Sequence, residues 1–361
     1  MNDDSRLSAV ASRSAAPRTL GSLRAATEKA GFGSLTSRLD ELREWLAGDL
    51  QAIESELDAL VRGGSGDLAE RAAAHLLGQR GKRIRPVCAL LGARFAGAGG
   101  DLRARDLAVA SELVHAATLL HDDVIDNGDE RRGAAAARVL FGNSASILAG
   151  DYLLIEALGR VQRTGEPQVL TDLLATISKM VAAEALQLER RGTLEPSREV
   201  YLRIVDGKTA SLFQWALSAG ARLGQLTEPQ HAALATAGMA LGRAFQLIDD
   251  ALDLEGESAV IGKDLFADLE QGKLTWPTLI AAERDAGLLG ELQTIARDGL
   301  PNHALLMNLL ERIRATGGVE AARQFALDEA QRAEVALTLL PEGLARSTFH
   351  AVLSAAVNRR A

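Results

Sequence analysis

Cysteines and long apolar runs are almost absent from this sequence, and each absence excludes a class of protein. The single cysteine, Cys88, rules out an intrachain disulfide framework, and its apolar surroundings are typical of a buried side chain. No uncharged apolar stretch reaches the roughly 18 residues that cross a membrane. The acidic first residues also lack the features of a secretory signal. We therefore expect a cytoplasmic protein without a membrane span.

Aromatic residues are scarce as well, at 4% of 361 residues, whereas Ala and Leu are abundant. Ala and Leu are among the strongest helix formers. No segment shows the sustained alternation with β-branched residues that is typical of a strand. The apolar content of 47% suffices for a sizeable core. The composition therefore predicts an all-α protein without a sheet.

Several functional motifs are missing too. The net charge of −8 argues against a nucleic-acid partner, because such binding depends on Lys and Arg attracting phosphates. The chain has no P-loop, no glycine-rich dinucleotide motif before a strand, no His-Glu-x-x-His and no Cys-x-x-Cys. These absences count against P-loop, dinucleotide-dependent and zinc enzymes.

Two Asp-Asp-x-x-Asp motifs are present instead, at residues 122–126 and 249–253, and each ends an apolar run. On a helix, the first and last aspartates of such a motif lie one turn apart on one face, where they repel by about 0.2–0.5 kcal/mol. Aspartate oxygens suit Mg²⁺, which also binds phosphate oxygens. The motifs predict two carboxylate clusters that face each other across a cavity and hold Mg²⁺ against a diphosphate; solvated helix ends are the alternative.

Basic residues near the motifs indicate how an acidic protein would hold an anionic substrate. One group, Lys82, Arg83 and Arg85, precedes an apolar helix, and a second, Arg131 and Arg132, follows the first motif. Arginine suits bidentate contacts with phosphate. Each group alone would also fit a solvated surface, but together with the aspartates they predict a second, metal-free anion site.

Other polar positions each have an ordinary structural interpretation, and some also have a functional one. His115 lies seven residues before Asp122, on nearly the same helical face, and is either a core histidine or part of the site. Lys208 lies in an amphipathic run where lysines commonly extend to solvent. Lys263 and Lys273 belong to a charged loop after the second motif, which is either a solvent loop or a lid that closes over the diphosphate.

Helical periodicity predicts a series of helices after a mobile leader at residues 1–35. Within this leader, residues 5–25 weakly resemble a transit peptide, but a disordered tail fits them better. The main predicted helices span residues 36–61, 102–126, 143–158, 169–190, 197–223, 229–253, 275–284, 304–313, 319–340 and 345–359.

Taken together, these features closely resemble the trans-isoprenyl (polyprenyl) diphosphate synthase family, from about residue 70 to residue 280. The matching stretches are residues 81–86, 119–133, 141–151, 208–210, 245–250, 262–263 with Asp268, and 272–275. Two departures lie beside expected phosphate contacts. Arg80 replaces a usual glycine, and alanines at residues 134–136 replace a usual Pro-Thr.

The resemblance implies a single-domain antiparallel helix bundle over residues 36–361, around a deep central cavity, that is usually a homodimer. It also implies Mg²⁺-dependent, head-to-tail condensation of isopentenyl diphosphate with an allylic diphosphate. By the family pattern, Mg²⁺ would be bound by Asp122, Asp126 and Asp249, supported by Asp123, Asp250 and Asp253. The allylic diphosphate would be held by Arg131, Lys208 and Lys263. Isopentenyl diphosphate would be held by Lys82, Arg85, His115 and Arg132. Lys273 would close the lid, and the catalytic set would be Lys208, Thr209, Gln246, Asp122 and Asp249.

Product length and reaction class each leave alternatives. Ala117 and Thr118 are small where an aromatic residue would stop growth after three isoprene units, so we expect four or more units. Alternatively, the bottom of the product pocket is formed by Val114, Met180 or a dimer neighbour.

A class I terpene cyclase shares the fold but typically differs in the second motif and lacks the isopentenyl site. A non-catalytic regulatory subunit usually loses an acidic motif. A helical scaffold with solvated acidic ends is the third alternative.

Overall fold

The computed structural model describes residues 20–29, 31–63, 66–79, 81–191, 194–255, 269, 272–299 and 302–359, and these fold almost entirely into α-helices. The predicted all-α class is therefore confirmed. The helices are α1 (Gly21–Lys29), α2 (Gly33–Trp45), α3 (Ala47–Gly63), α4 (Leu68–Leu77), α5 (Ile84–Phe95), α6 (Leu102–Ile125), α7 (Ala137–Phe141), α8 (Asn143–Arg163), α9 (Pro167–Arg190), α10 (Arg198–Val205), α11 (Ser211–Ala221), α12 (Glu228–Leu252), α13 (Trp276–Arg284), α14 (Ala286–Asp298), α15 (His303–Ala315), α16 (Gly318–Leu337) and α17 (Leu344–Val357). A π-helical turn (Asp206–Ala210) joins α10 to α11. Among the described residues, no helix is both long and apolar enough to cross a membrane.

A short hairpin corrects the expectation that the chain has no sheet. Strands β1 (Glu130–Arg131) and β2 (Ala134–Ala135) pair antiparallel just after the first motif. The two residues between them, Arg132 and Gly133, have φ angles of 53° and 77°. Two successive residues with positive φ are typical of the tight hairpin turns whose twist matches the strands. The turn fixes Arg131 and Arg132 beside the first motif.

The helices that carry the two motifs, α6 and α12, are linked by a tightly packed pair, α5 and α11. Glycines allow this close approach. A Cβ on Gly92 of α5 would lie 2.0 Å from the carbonyl oxygen of Leu217, and a Cβ on Gly220 of α11 would lie 2.0 Å from that of Ala89. Substitution at either glycine would push the pair apart, and with it the helices that hold the aspartates.

The chain is folded well before residue 36. Leu20 is fully buried, and its backbone N–H donates to the carbonyl oxygen of Lys82 at 3.2 Å. Thr27 in α1 and Thr36 in α2 form a buried hydroxyl pair at 3.2 Å. The structure thus differs from the expected mobile leader over residues 20–35, because these side chains find partners that local sequence does not reveal. Residues 1–19 lie outside the described part.

Two other helix predictions differ from the structure, and one helix was missed. The predicted helix 36–61 is two helices that meet at Leu46. The predicted helix 197–223 contains the π-helical turn. Helix α14 was not predicted, since two glycines interrupt its pattern, although Asp285 accepts hydrogen bonds from the backbone N–H groups of Gly287 and Leu288 as an N-cap.

Candidate active site

Both acidic motifs open onto connected cavities between α5, α6, α9, the π-helical turn and α12. A cavity of about 1460 Å³ has Asp122 on one wall and Asp249 on another. A smaller one of about 520 Å³ has Asp122, Asp126 and Asp253 among its lining residues. The other predicted residues that line the larger cavity are Lys82, Arg85, His115, Arg131, Arg132, Lys208, Thr209 and Gln246. Lys273 lines the smaller cavity, and Lys263 lies outside the described residues.

The first and last aspartates of the first motif differ in how they are paired. Asp122 is 3.6 Å from the ammonium of Lys208. Burial raises the pKa of Asp122, and the neighbouring acids Glu184 and Asp126 act in the same direction. The Oδ2 atom of Asp126 accepts a hydrogen bond from Lys273 at 2.8 Å. Although burial alone would raise the pKa of Asp126, the surrounding cations, chiefly Lys273, lower it.

The second residue of each motif points into the protein. Asp123 is almost fully buried, and its Oδ1 accepts a hydrogen bond from Nε of Arg131 at 2.9 Å. Asp250 accepts from the Tyr201 hydroxyl at 2.6 Å and from the Trp276 backbone N–H at 2.9 Å. Burial raises the pKa of Asp250 despite these donors. Asp123 and Asp250 therefore anchor the helix ends, and Asp250 also lines part of the smaller cavity, whereas Asp122 and Asp249 face the larger cavity.

Asp249 is held by an arginine from the far end of the chain. Nη1 of Arg359 is 2.6 Å from Oδ1 of Asp249, and Nη2 donates to the carbonyl oxygen of Phe245 at 3.1 Å. The guanidinium also lies 4.1 Å from the centre of the Phe245 ring. Nζ of Lys82 approaches the same Oδ1 at 3.7 Å. Sequence reasoning missed Arg359, because 110 residues separate it from its partner.

The π-helical turn directs Lys208 and Thr209 toward both motifs. Nζ of Lys208 is 2.5 Å from Oε2 of Glu184, and burial, which alone would lower the pKa of Lys208, is outweighed by Asp122 and Glu184. The Thr209 hydroxyl donates to Oε1 of Gln246 at 3.0 Å. Gly207 allows the turn to touch α9, since a Cβ there would lie 2.7 Å from a backbone carbonyl oxygen of that helix.

A separate cluster of basic groups lies on the wall formed by the start of α5. Burial lowers the pKa of Lys82 and of Arg132, and lowers that of Arg85 to about 10. Burial and the neighbouring arginines bring the pKa of His115 well below its ordinary value. Gly81 leaves room for Arg132, because a Cβ there would lie 3.0 Å from its guanidinium. Clustered, half-buried cations are an arrangement that a bound anion would stabilise.

The oxygen donors fit a hard divalent cation. Among the described residues, no three His, Cys, Asp or Glu side chains lie close enough to form a complete protein metal cage. Magnesium does not need one, since it is usually bound by one or two carboxylates together with waters and substrate phosphates. Asp122 and Asp249 on a shared cavity supply donors of that kind.

Part of the wall of the larger cavity is apolar, and the residues there correct one detail of the product-length argument. Val114, Thr118, Ile177 and Met180 line it. Ala117 is fully buried and is not among the lining residues. Of the two small residues before the first motif, only Thr118 therefore faces the space where a product tail would grow.

Comparison with known proteins identifies the family. A protein-family model described as polyprenyl synthetase matches residues 67–310. Octaprenyl diphosphate synthase of Escherichia coli is 35% identical over 326 residues, which cover 89% of this chain and 99% of that protein. Nonaprenyl diphosphate synthase of Mycobacterium tuberculosis is 35% identical over 288 residues, covering 79% and 85% of the two chains.

Solved structures agree with the sequence comparison. The polyprenyl synthase from Caulobacter crescentus, complexed with calcium and isoprenyl diphosphate, superimposes with a TM-score of 0.81 at 34% identity, covering 89% of this chain and 98% of that one. Decaprenyl diphosphate synthase from Rhodobacter capsulatus gives 0.80 at 34% identity, covering 88% and 98%. This chain therefore belongs to the polyprenyl synthetase family, as its motifs predicted, and is a prenyltransferase that makes polyprenyl diphosphates.

Proposed function

We propose that this prenyltransferase condenses isopentenyl diphosphate head-to-tail with an allylic diphosphate, with Mg²⁺ held between the two aspartate motifs. The observation that carries the proposal is the single cavity lined by Asp122 and Asp249, with a separate basic cluster beside them. The product would be an all-trans polyprenyl diphosphate of four or more isoprene units, and the relatives named above make products of this class. The cytoplasmic location stays a prediction, and so does the mobile leader for residues 1–19.

The allylic diphosphate would lie between the aspartates and the cations around them. Asp122, Asp126 and Asp249 would hold Mg²⁺, whose chemistry is to neutralise the diphosphate as its C–O bond breaks. Lys208 and Arg131 would donate hydrogen bonds to its oxygens, which stabilises the developing charge. Both cations are already positioned by acidic partners, so little reorganisation is needed.

Isopentenyl diphosphate would occupy the basic cluster, held by Lys82, Arg85 and Arg132 through charge-assisted hydrogen bonds. Its double bond attacks the allylic carbon, a new C–C bond forms, and a proton leaves to an oxygen of the departed diphosphate. No protein nucleophile is required. The apolar walls around Ile177 and Met180 would exclude water, which would otherwise quench the allylic cation.

The direct test is an assay with radiolabelled isopentenyl diphosphate and several allylic primers, with products sized by chromatography. We expect elongated products in the presence of Mg²⁺ and none after chelation with EDTA. Hydrocarbon release from geranylgeranyl diphosphate alone would favour a terpene cyclase. Absence of diphosphate release with every primer would favour a regulatory subunit or a scaffold.

Product length gives a prediction with an internal control. Thr118 lines the cavity one turn before Asp122, so Thr118→Phe should block tail growth and shorten the main product by at least one isoprene unit. Ala117→Phe adds the same ring at a fully buried position outside the cavity, where overpacking costs about 1–3 kcal/mol of stability. Chromatography and thermal melting separate the two effects. Unchanged product length in the Thr118→Phe enzyme would remove Thr118 from the gate.

We also propose that the enzyme is a homodimer, because one side of the chain exposes an apolar surface formed by α7, α8 and α9. Exposed apolar side chains on neighbouring helices commonly mark contact surfaces, and most homo-oligomers are two-fold symmetric. The exposed apolar residues of these helices that do not line a cavity are Val139, Leu140, Ile147, Leu148, Ile155 and Leu174.

A charge placed on this surface should prevent association. Ile155 is 67% exposed and Leu174 is 52% exposed, and neither lines a cavity, so the double variant Ile155→Asp/Leu174→Asp should fold but elute as a monomer in size-exclusion chromatography with light scattering. Leu327→Asp, at an exposed leucine of α16, is the matched control and should leave the dimer intact. A monomeric wild-type protein, or a dimeric double variant, would contradict the proposal.

A further inference from the structure

Arg191, which follows the last residue of α9, contacts the first aspartate motif and has no role in the function proposed above. We propose that Arg191 is a further diphosphate-binding residue that acts by exchange. In the structure its guanidinium pairs with Asp126; when Asp126 takes up the metal, the guanidinium would turn to the allylic diphosphate. The inference rests on the proposed function, because it requires metal and diphosphate to bind at the first motif.

The pairing of Asp126 is the first step of the argument. Its Oδ1 contacts Nη2 of Arg191, and its Oδ2 is 2.8 Å from Nζ of Lys273. Both carboxylate oxygens are therefore already occupied by cations of the protein. Asp122, one turn earlier on the same helix, is instead 3.6 Å from Lys208. A metal held by Asp122 and Asp126 would therefore compete with these two cations for the carboxylate of Asp126.

The surroundings of Arg191 make it the cation suited to such an exchange. Its Nε is buried and has no hydrogen-bond partner among the described residues, and its Nη1 reaches only the carbonyl oxygen of Ile125, at 3.4 Å. The guanidinium thus has donors that Asp126 does not satisfy. A diphosphate presents several oxygens, and the planar fork of arginine matches phosphate in a bidentate way.

The exchange also keeps the charges paired. Asp126 is only 17% exposed and Arg191 24%, so leaving either without a partner would be costly. Asp126 lines the smaller cavity, and Arg191, although it is not a lining residue of either cavity, contacts Asp126 directly and so lies one side chain away from an anion bound there. One carboxylate–guanidinium pair is replaced by a carboxylate–metal contact and a guanidinium–phosphate contact, and no buried charge is left alone.

The test measures two affinities that should move in opposite directions in Arg191→Gln. Binding of Mn²⁺ alone, followed by the loss of its free electron paramagnetic resonance signal, should become tighter because Asp126 loses a competing cation. Binding of inorganic diphosphate in the presence of Mg²⁺, followed by calorimetry, should weaken about tenfold or more, as expected for the loss of a charge-assisted hydrogen bond. A merely structural role would weaken both.

Arg163→Gln is the matched control, since Arg163 is an arginine in the last turn of α8 that pairs with Asp106 at 2.9 Å and not with an aspartate of either motif. It should change neither affinity. Arg191→Lys keeps the charge but not the planar fork of the guanidinium. Its diphosphate affinity should therefore fall while its Mn²⁺ affinity stays close to wild type. If Arg191→Gln does not fold, Arg191→Lys replaces it in the test.

The outcomes separate this inference from the proposed function. If the wild-type protein binds diphosphate with Mg²⁺ but the Arg191 variants bind it equally well, or lose both affinities together, the exchange is overturned and the proposed function stands. If the wild-type protein does not bind diphosphate with Mg²⁺, the proposed function fails and the exchange fails with it.

Discussion

Asp122→Asn should lower kcat for condensation by about a thousandfold or more while the protein stays folded. A thousandfold loss corresponds to roughly 4 kcal/mol of transition-state stabilisation, the range expected when a metal ligand that neutralises a leaving group is removed. The amide keeps the shape of the carboxylate. Because burial raises the pKa of Asp122, its charged form is already destabilised, and the melting temperature should not fall.

The matched control is Asp129→Asn, which removes the same charge from a residue seven positions later that is 80% exposed at the side chain. Its activity should stay within about twofold of wild type. Steady-state kinetics with a geranyl primer, together with melting curves for all three proteins, decide the matter. If Asp122→Asn retained activity within tenfold of wild type, the first motif would not be the metal site.

Lys82→Met should raise the KM for isopentenyl diphosphate by roughly ten- to a hundredfold, the range expected for the loss of one hydrogen bond to a charged group. Methionine keeps most of the length and the apolar stem of lysine but not the charge. The KM for the allylic primer should change much less, because Lys82 lies in the basic cluster and the primer would be held by Lys208 and Arg131.

Lys179→Met provides the control, because Lys179 is an exposed lysine of α9 outside both cavities. It should affect neither KM. A terpene cyclase uses a single diphosphate substrate, so it would not show an increase in one of two KM values. Equal increases in both KM values for Lys82→Met would mean that the two diphosphate sites are not distinct.

The parts of the site that could be predicted from sequence depend on local spacing. An Asp-Asp-x-x-Asp motif at the end of an apolar helix fixes which aspartates share a face, because the helical period is known. That period places Asp122 one turn from Asp126, and in the structure both side chains line the smaller cavity. The burial of the second aspartates, Asp123 and Asp250, was not predicted and is seen only in the structure.

The contacts that sequence did not reveal join distant segments. Arg359 reaches Asp249 from 110 residues away, and Arg191 reaches Asp126 from 65 residues away. Each is one arginine among many, and neither lies in a motif. The π-helical turn was missed for a different reason: one extra residue in a turn leaves the apolar pattern almost unchanged, yet it determines where Lys208 points.

Anomalous diffraction from Mn²⁺ tests the central claim most directly. Crystals of the wild-type enzyme would be soaked with Mn²⁺ and an unreactive thiolo analogue of an allylic diphosphate. We predict anomalous peaks at about 2.1 Å from carboxylate oxygens of Asp122 and Asp126 on one side of the diphosphate and of Asp249 on the other. Peaks bound to only one motif, or a diphosphate held away from both, would contradict the account.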